Sequence, residues 1–148
     1  MNENKLANIY NFLQIDDAIA TSGQPKAEEF EEIKNSGYQT VINLALTNSS
    51  NALDNEPEIV KSRGMEYIHI PVIWEKPTLK DFQTFVKVMD DNPERKLFVH
   101  CAANKRVSVF IYLYRLQKGV DRALAQKDLE AIWKPNQVWQ NFIDCIIN

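Results

Sequence analysis

Residues 97–110 read LFVHCAANKRVSVF. An apolar run ends in His100 and Cys101, a short stretch of small and polar residues carries Lys105 and Arg106, and a second apolar run follows. A thiolate is a nucleophile, and an arginine fork can grip two oxygens of a phosphate. If the segment turns from a strand into a helix, its backbone N–H groups point inward at the positive end of the helix dipole, which makes an anion cradle. Helix N-termini and neighbouring cations lower a thiol pKa from about 8.5 to roughly 3.5–7.5. Three units of that shift are about 4 kcal/mol in favour of thiolate. These residue types at this spacing point to a nucleophile aimed at a bound phosphoryl group.

The elements that would position them follow from periodicity. LQIDDAIATSG suggests two short extended pieces about an Asp16-Asp17 turn, and Pro25 is expected to open a helix running to about Lys34. YQTVINLAL, MEYIHIPV and KLFVHC read as strands, with PEIVKSRG a short helix ended by Gly64. Thr78 begins a helix, with Asp81 three residues later in a capping box. RVSVFIYLYRLQKG, DRALAQKDLEAIW and NQVWQNFIDCII are three more helices. The alternation implies an α/β fold: a central, mostly parallel sheet of four or five strands with helices on both sides, in one domain over 1–148. Ligands in such sheets bind beyond the carboxyl ends of strands, where AANKR would lie.

Composition sets the outer bounds. The 148 residues are 45% hydrophobic and 25% charged, ordinary for one globular domain. A net charge of -3 gives no general attraction to nucleic acid or to an anionic membrane, so any anion site is local. No apolar run reaches membrane-spanning length, and MNENKLANIYNF has no charged-then-apolar signal pattern. Two cysteines are too few for a disulfide framework or a zinc-ligand spacing. A cytoplasmic protein without metal or cofactor is expected, its partner a phosphorylated protein or small molecule, or inorganic phosphate or sulfate.

His-Cys, five residues, then Arg and Ser/Thr between a strand and a helix is the signature of cysteine-dependent protein tyrosine and dual-specificity phosphatases, which this loop resembles. ATSGQPKAEEFEEIKNSGYQTVINL, YIHIPVIWEKPT, VHCAANKRVS and WKPNQVWQNFI extend the likeness over nearly the whole chain. They resemble a bacterial phosphatase-like family long catalogued as a domain of unknown function and related to the domain attached to beta-lactamase-like hydrolases. The resemblance implies the cysteine-phosphatase fold and a metal-free hydrolysis through a cysteinyl-phosphate.

The loop departs from that pattern. Four residues, not five, separate Cys101 from Arg106, and Asn104 stands in place of the usual central glycine. In an ungapped register Val107 holds the arginine position and Ser108 the Ser/Thr position, which leaves a crippled phosphate site. In a register one residue shorter, the preferred one, Arg106 takes the arginine role, Val107 replaces the Ser/Thr, and Ser108 takes the small position at the helix start. Tyr114 then falls where dual-specificity phosphatases often carry a tyrosine. The phosphate would be held by the segment Ala102, Ala103, Asn104, Lys105, Arg106, Val107 and Ser108, with Cys101 as nucleophile. Two alternatives stay open: a phosphate-binding pseudophosphatase, and a rhodanese-like sulfurtransferase, whose loop typically spans six residues as Cys101 to Arg106 does.

The remaining candidates carry weaker signals. His100 is expected to shape the loop by hydrogen bonding. The general acid of the phosphatase reaction is normally an aspartate after the preceding strand; PVIWEKPT offers only Glu75, and Asp81 is better explained as a cap. Ser22 to Pro25 either approach the site or form a helix-entry turn. His69 reads as structural, Trp133 and Trp139 as packing about Pro135, and Cys145 as core among Phe142, Ile143, Ile146 and Ile147.

Overall fold

Strands that are covered on both faces must be apolar on both, and the two central strands of this protein are. The computed structural model describes residues 5–147. Its sheet contains β1 (Leu13–Gln14), β2 (Ile19–Ser22), β3 (Thr40–Asn43), β4 (Glu66–His69) and β5 (Leu97–His100), in the order β1-β2-β5-β3-β4. β2, β5, β3 and β4 run parallel, and β1 closes one edge antiparallel to β2. Every residue of β3 and β5 is buried.

The helices are α1 (Glu29–Asn35), α2 (Glu56–Ser62), α3 (Leu79–Asp90), α4 (Lys105–Gln117), α5 (Arg122–Ile132) and α6 (Gln137–Ile147), after a single 3-10 turn at Lys5–Asn8. The period of two along each strand splits the core into two layers. Val41 and Phe98 face Phe30 and Ile33 of α1 and Val60 of α2. Ile42, Leu97 and Val99 face Phe82 and Phe85 of α3, Phe110 of α4 and Trp139 of α6. α4 is the spine of the second layer: each residue from Arg106 to Leu113 is buried, the pattern of a helix covered all round. Phe110 lies edge-on to Phe82 and Phe85 and stacks on Phe142.

The expected architecture is present, and so is the expected cap at Thr78; Asp121 caps α5 in the same way. The Thr78 hydroxyl accepts from Asp81 N at 3.0 Å, and the Asp121 carboxylate accepts from Leu124 N at 3.2 Å. Asp16 turns the β1–β2 hairpin by accepting from Ala18 N and Ile19 N, both at 2.8 Å.

Two expectations are corrected. The helix assigned to Pro25 starts four residues later, at Glu29. Gln24 is held in non-helical backbone because its N–H bonds Ala102 O, and the Glu29 carboxylate accepts from Lys26 N at 2.7 Å to close the turn before the helix. Cys145 is exposed, not core. The 3.6-residue period of α6 puts Trp139, Phe142 and Ile143 on the buried side and turns Cys145 away from it.

Candidate active site

β5 lies between β2 and β3, so the loop leaving its carboxyl end is flanked by the loops that leave both neighbours. That loop is Cys101–Asn104, and it enters α4 at Lys105. Asn104 makes the sharp turn: its φ of 67° lies in the left-handed region, which asparagine tolerates better than most residues. Its side chain also anchors the turn, donating from Nδ2 to Asn11 O at 2.9 Å and to Thr21 Oγ1 at 3.0 Å. An asparagine thus supplies the backbone freedom of a glycine and two hydrogen bonds besides.

The carbonyl groups of the loop are tied back into the scaffold. Cys101 O faces His100 Nδ1 at 3.2 Å. Ala102 O accepts from Gln24 N at 3.1 Å and from Asn51 Nδ2 at 3.1 Å. Ala103 O accepts from Asn11 Nδ2 at 3.0 Å. In a trans peptide the C=O of one residue and the N–H of the next point in opposite directions. Anchoring the carbonyls of Cys101 and Ala102 therefore turns the N–H groups of Ala102 and Ala103 away from the scaffold. The first N–H groups of α4 lie beside them without intrahelical partners. Such an arrangement is the kind of cradle that a strand-to-helix junction can offer an anion.

Cys101, Ala102, Ala103, Lys105, Arg106 and Trp74 line one cavity of about 230 Å³. Cys101 is 1% exposed and lines it. Arg106 is buried, donates from one terminal nitrogen to Val72 O at 2.9 Å, and lies with its guanidinium carbon 5.9 Å from the centre of the Trp74 ring. Trp74 is fixed by its neighbours: Trp139 Nε1 donates to Trp74 O at 2.9 Å, and the Trp133 and Trp139 rings pack against its own. The Lys105 ammonium stands 5.4 Å from the centre of the Trp133 ring. One wall of the cavity is indole, and two cations border the cradle.

Arg106 and Cys101 are thus brought together, whereas Val107 is fully buried in the core layer behind the loop. The Ser108 hydroxyl is turned to α4 and α5, donating to Lys105 O at 2.7 Å and accepting from Trp133 Nε1 at 3.0 Å. Glu75 stands exposed in the turn after β4 and is not among the residues lining the cavity; its neighbour Trp74 is. His69 Nε2 faces Ala45 O at 2.6 Å, a structural bond at the end of β4. Among the described residues no group of three His, Cys, Asp or Glu side chains could hold a metal ion.

Behind the loop lies a polar cluster of which sequence reasoning missed one member, Glu56. His100 is fully buried, with Nε2 at 2.5 Å from Glu56 Oε2. Glu56 Oε1 accepts from Gln24 Nε2 at 2.8 Å. Burial pushes the Glu56 carboxyl pKa up, but the His100 charge, hydrogen bonds from His100 and Gln24, and the His69 charge outweigh it and hold the pKa below the ordinary value. The SGQP segment does approach the site. Gly23 pairs with Ala103, and a Cβ at Gly23 would stand 2.9 Å from Ala102 O.

The model of the family described as "DSP-PTPase phosphatase fused to NAD+ Kinase" matches residues 8–143. The chain belongs to that family. A beta-lactamase hydrolase-like protein of Xylella fastidiosa is 30% identical over 123 residues, which are 81% of this chain and 28% of that protein. The chain therefore spans little more than a quarter of the curated relatives it matches. Among solved structures, a candidate phosphatase of the DUF442 type from Shewanella putrefaciens CN-32 is 31% identical with a TM-score of 0.87, covering 96% of this chain and 94% of that one. The catalytic core of the PP-IP phosphatase SIW14 of S. cerevisiae, in complex with citrate, is 16% identical with a TM-score of 0.75, over 92% of this chain and 85% of its own. At that identity the likeness concerns the fold, which is the dual-specificity and tyrosine phosphatase fold.

Proposed function

We propose that the protein hydrolyses phosphate monoesters through Cys101. The observation that carries this is the shared cavity: Cys101, Arg106 and Lys105 line it together, and the loop N–H groups are turned away from the scaffold because the carbonyls are anchored there. The Cys101 thiolate attacks phosphorus while the bond from phosphorus to the ester oxygen breaks. Arg106 and the loop N–H groups hold the equatorial oxygens as charge builds on them. The departing oxygen takes a proton from a carboxylic acid, and Glu75, on the turn that carries Trp74, is the candidate for that role. Water then attacks the cysteinyl-phosphate and gives its proton to the same carboxylate, releasing phosphate and the thiolate.

The indole of Trp74 on the cavity wall suits a flat aryl ester, and the SIW14 core, a PP-IP phosphatase solved in complex with citrate, agrees with an anionic ligand. Turnover of aryl phosphates and phosphopeptides by the wild type, absent in Cys101→Ser, is the expected result. No turnover above that control removes the proposal. Glu75→Gln should slow hydrolysis of esters with poor leaving groups by about 10²-fold or more and leave good leaving groups nearly unchanged; equal loss on both excludes Glu75 as the acid.

A second reading is favoured by one observation. An Arg106 nitrogen is engaged by Val72 O, and the exposed Glu75 does not line the cavity. A phosphate-binding module without turnover would keep this arrangement. It predicts that phosphate, sulfate or vanadate raises the melting temperature of a protein that hydrolyses nothing, and unchanged melting counts against it.

A further inference from the structure

The buried pair Glu56–His100 sits beside the loop but does not line its cavity. His100 meets two oxygens, a carboxylate at Nε2 and the Cys101 carbonyl at Nδ1. A neutral imidazole has one N–H and one lone pair, so it satisfies one of these acceptors and repels the other. Only the doubly protonated ring donates to both. Glu56 is the counter-charge that makes such a ring tenable in a fully buried position, since an unpaired buried cation is strongly disfavoured.

We propose that Glu56 is a positioning residue of the reaction: its carboxylate keeps His100 protonated on both nitrogens, and the Nδ1–H then fixes the Cys101 carbonyl, with a positive ring on the residue adjoining the thiol. The inference rests on the phosphatase reading and names a residue that reading does not use. Two consequences follow from the geometry. Holding Cys101 O aims the Ala102 N–H away from the scaffold, as a trans peptide requires. And the ring lies nearer to the Cys101 backbone than its carboxylate partner does, because Nδ1 meets the Cys101 carbonyl while Glu56 bonds the far nitrogen, so the pair presents its positive end to that residue.

On the cavity side Cys101 is also faced by Arg106 and Lys105 of α4, which Glu56→Gln leaves in place; among the described residues the contacts of His100 itself include no cation. From α1 the ring of Phe30 lies edge-on to His100, and from the segment before it Gln24 is neutral. From β4, Tyr67 and His69 border the same cavity as Glu56, as does Asp54 from the loop before α2. Tyr67 is kept neutral, its pKa pushed up to about 12 by burial, with the Glu56 charge adding to it and the Asn43 hydrogen bond opposing it. From the end of β5 the titratable neighbour is Cys101 itself.

The test is the pH dependence of Cys101 alkylation by iodoacetamide in the wild type and in Glu56→Gln, which keeps the shape and removes the charge; Cys145→Ser in both removes the exposed thiol. The midpoint should rise by about one pH unit in Glu56→Gln, a roughly tenfold loss of thiolate below it. An unchanged midpoint in a folded variant overturns the proposal and leaves Glu56 a structural brace. If Glu56→Gln does not fold, the ring nitrogens of the wild type decide. With only two histidines, the ¹⁵N signals are assigned by His69→Gln. Two N–H-type signals from His100 at about pH 7 support the inference, and a neutral tautomer overturns it. Neither readout requires turnover, so a protein that hydrolyses nothing but shows the shifted midpoint would sink the phosphatase reading alone.

Discussion

Replacing Arg106 with methionine separates an anion clamp from a structural brace. The guanidinium makes one hydrogen bond within the protein, to Val72 O, and lies near one face of Trp74. A hydrogen bond involving a charged group is worth about 1.5–3 kcal/mol, and ending the burial of a cation offsets part of that loss. The methionine fills most of the stem's volume beside Trp74. Folding stability should therefore fall by no more than about 2 kcal/mol. Anion binding should suffer more. A bidentate grip on phosphate is two charge-assisted bonds, about 3 kcal/mol at the least, which is a roughly hundredfold weaker Kd. Calorimetric titration with vanadate or sulfate measures the second quantity, and denaturant unfolding the first. An affinity within about threefold of wild type, joined to a clear loss of stability, would refute the reasoning. Arg106 would then be the tie that holds the Val72–Trp74 turn, and the cradle would depend on backbone N–H groups alone. Arg106→Lys refines the result, because a point charge retains attraction but loses the planar fork.

Three further outcomes follow from other parts of the fold. Gly23→Ala puts a Cβ 2.5 Å from a Tyr10 ring carbon and 2.9 Å from Ala102 O; the ring can swing but the carbonyl is backbone, so the loop must shift, at a cost of about 1–3 kcal/mol and at least tenfold in vanadate affinity. A Gly23→Ala protein that binds vanadate normally would show that the loop has slack. Because the Glu56 pKa is lowered in the folded state, its contribution to stability is present above the unfolded carboxyl value, near 4.5, and is lost as pH falls through the folded value; chemical denaturation against pH should show a shallower acid limb for Glu56→Gln. Phe110→Ala removes the ring shared by Phe82, Phe85, Trp139 and Phe142 and should cost about 3–5 kcal/mol in unfolding free energy while leaving the cradle residues in place.

How far the sequence carries depends on the range of the interaction. The strand, loop and helix from Leu97 to Gln117 form one contiguous segment, and each part declares itself: an apolar run, a cluster of small and polar residues, and a long apolar helix. Cys101 and Arg106 therefore belong to one strand-to-helix junction by chain connectivity alone. The Thr78 and Asp121 caps are equally local, since a cap bonds an N–H three residues on. The exposure of Cys145 was also legible, because the period of α6 carries it off the face that holds Trp139, Phe142 and Ile143; an apolar neighbourhood in sequence obscured the period.

The cradle itself belongs to the tertiary structure. The groups that hold it open are Asn11, Gln24, Asn51 and Glu56, drawn from four segments well apart in the chain from Cys101. None lies in a periodic pattern pointing at the loop, and Gln24 and Glu56 look like helix-entry residues when read locally. Their roles arise because β5 inserts between β2 and β3, which brings the loops after both strands against the loop after β5. Local propensity depends on neighbours within a turn or two, whereas strand order is decided by the packing of whole layers. So the sequence by itself determined a cysteine, a nearby arginine and the junction that carries them. Tertiary structure decided which way the peptide groups of that junction face, and placed a buried carboxylate behind its histidine.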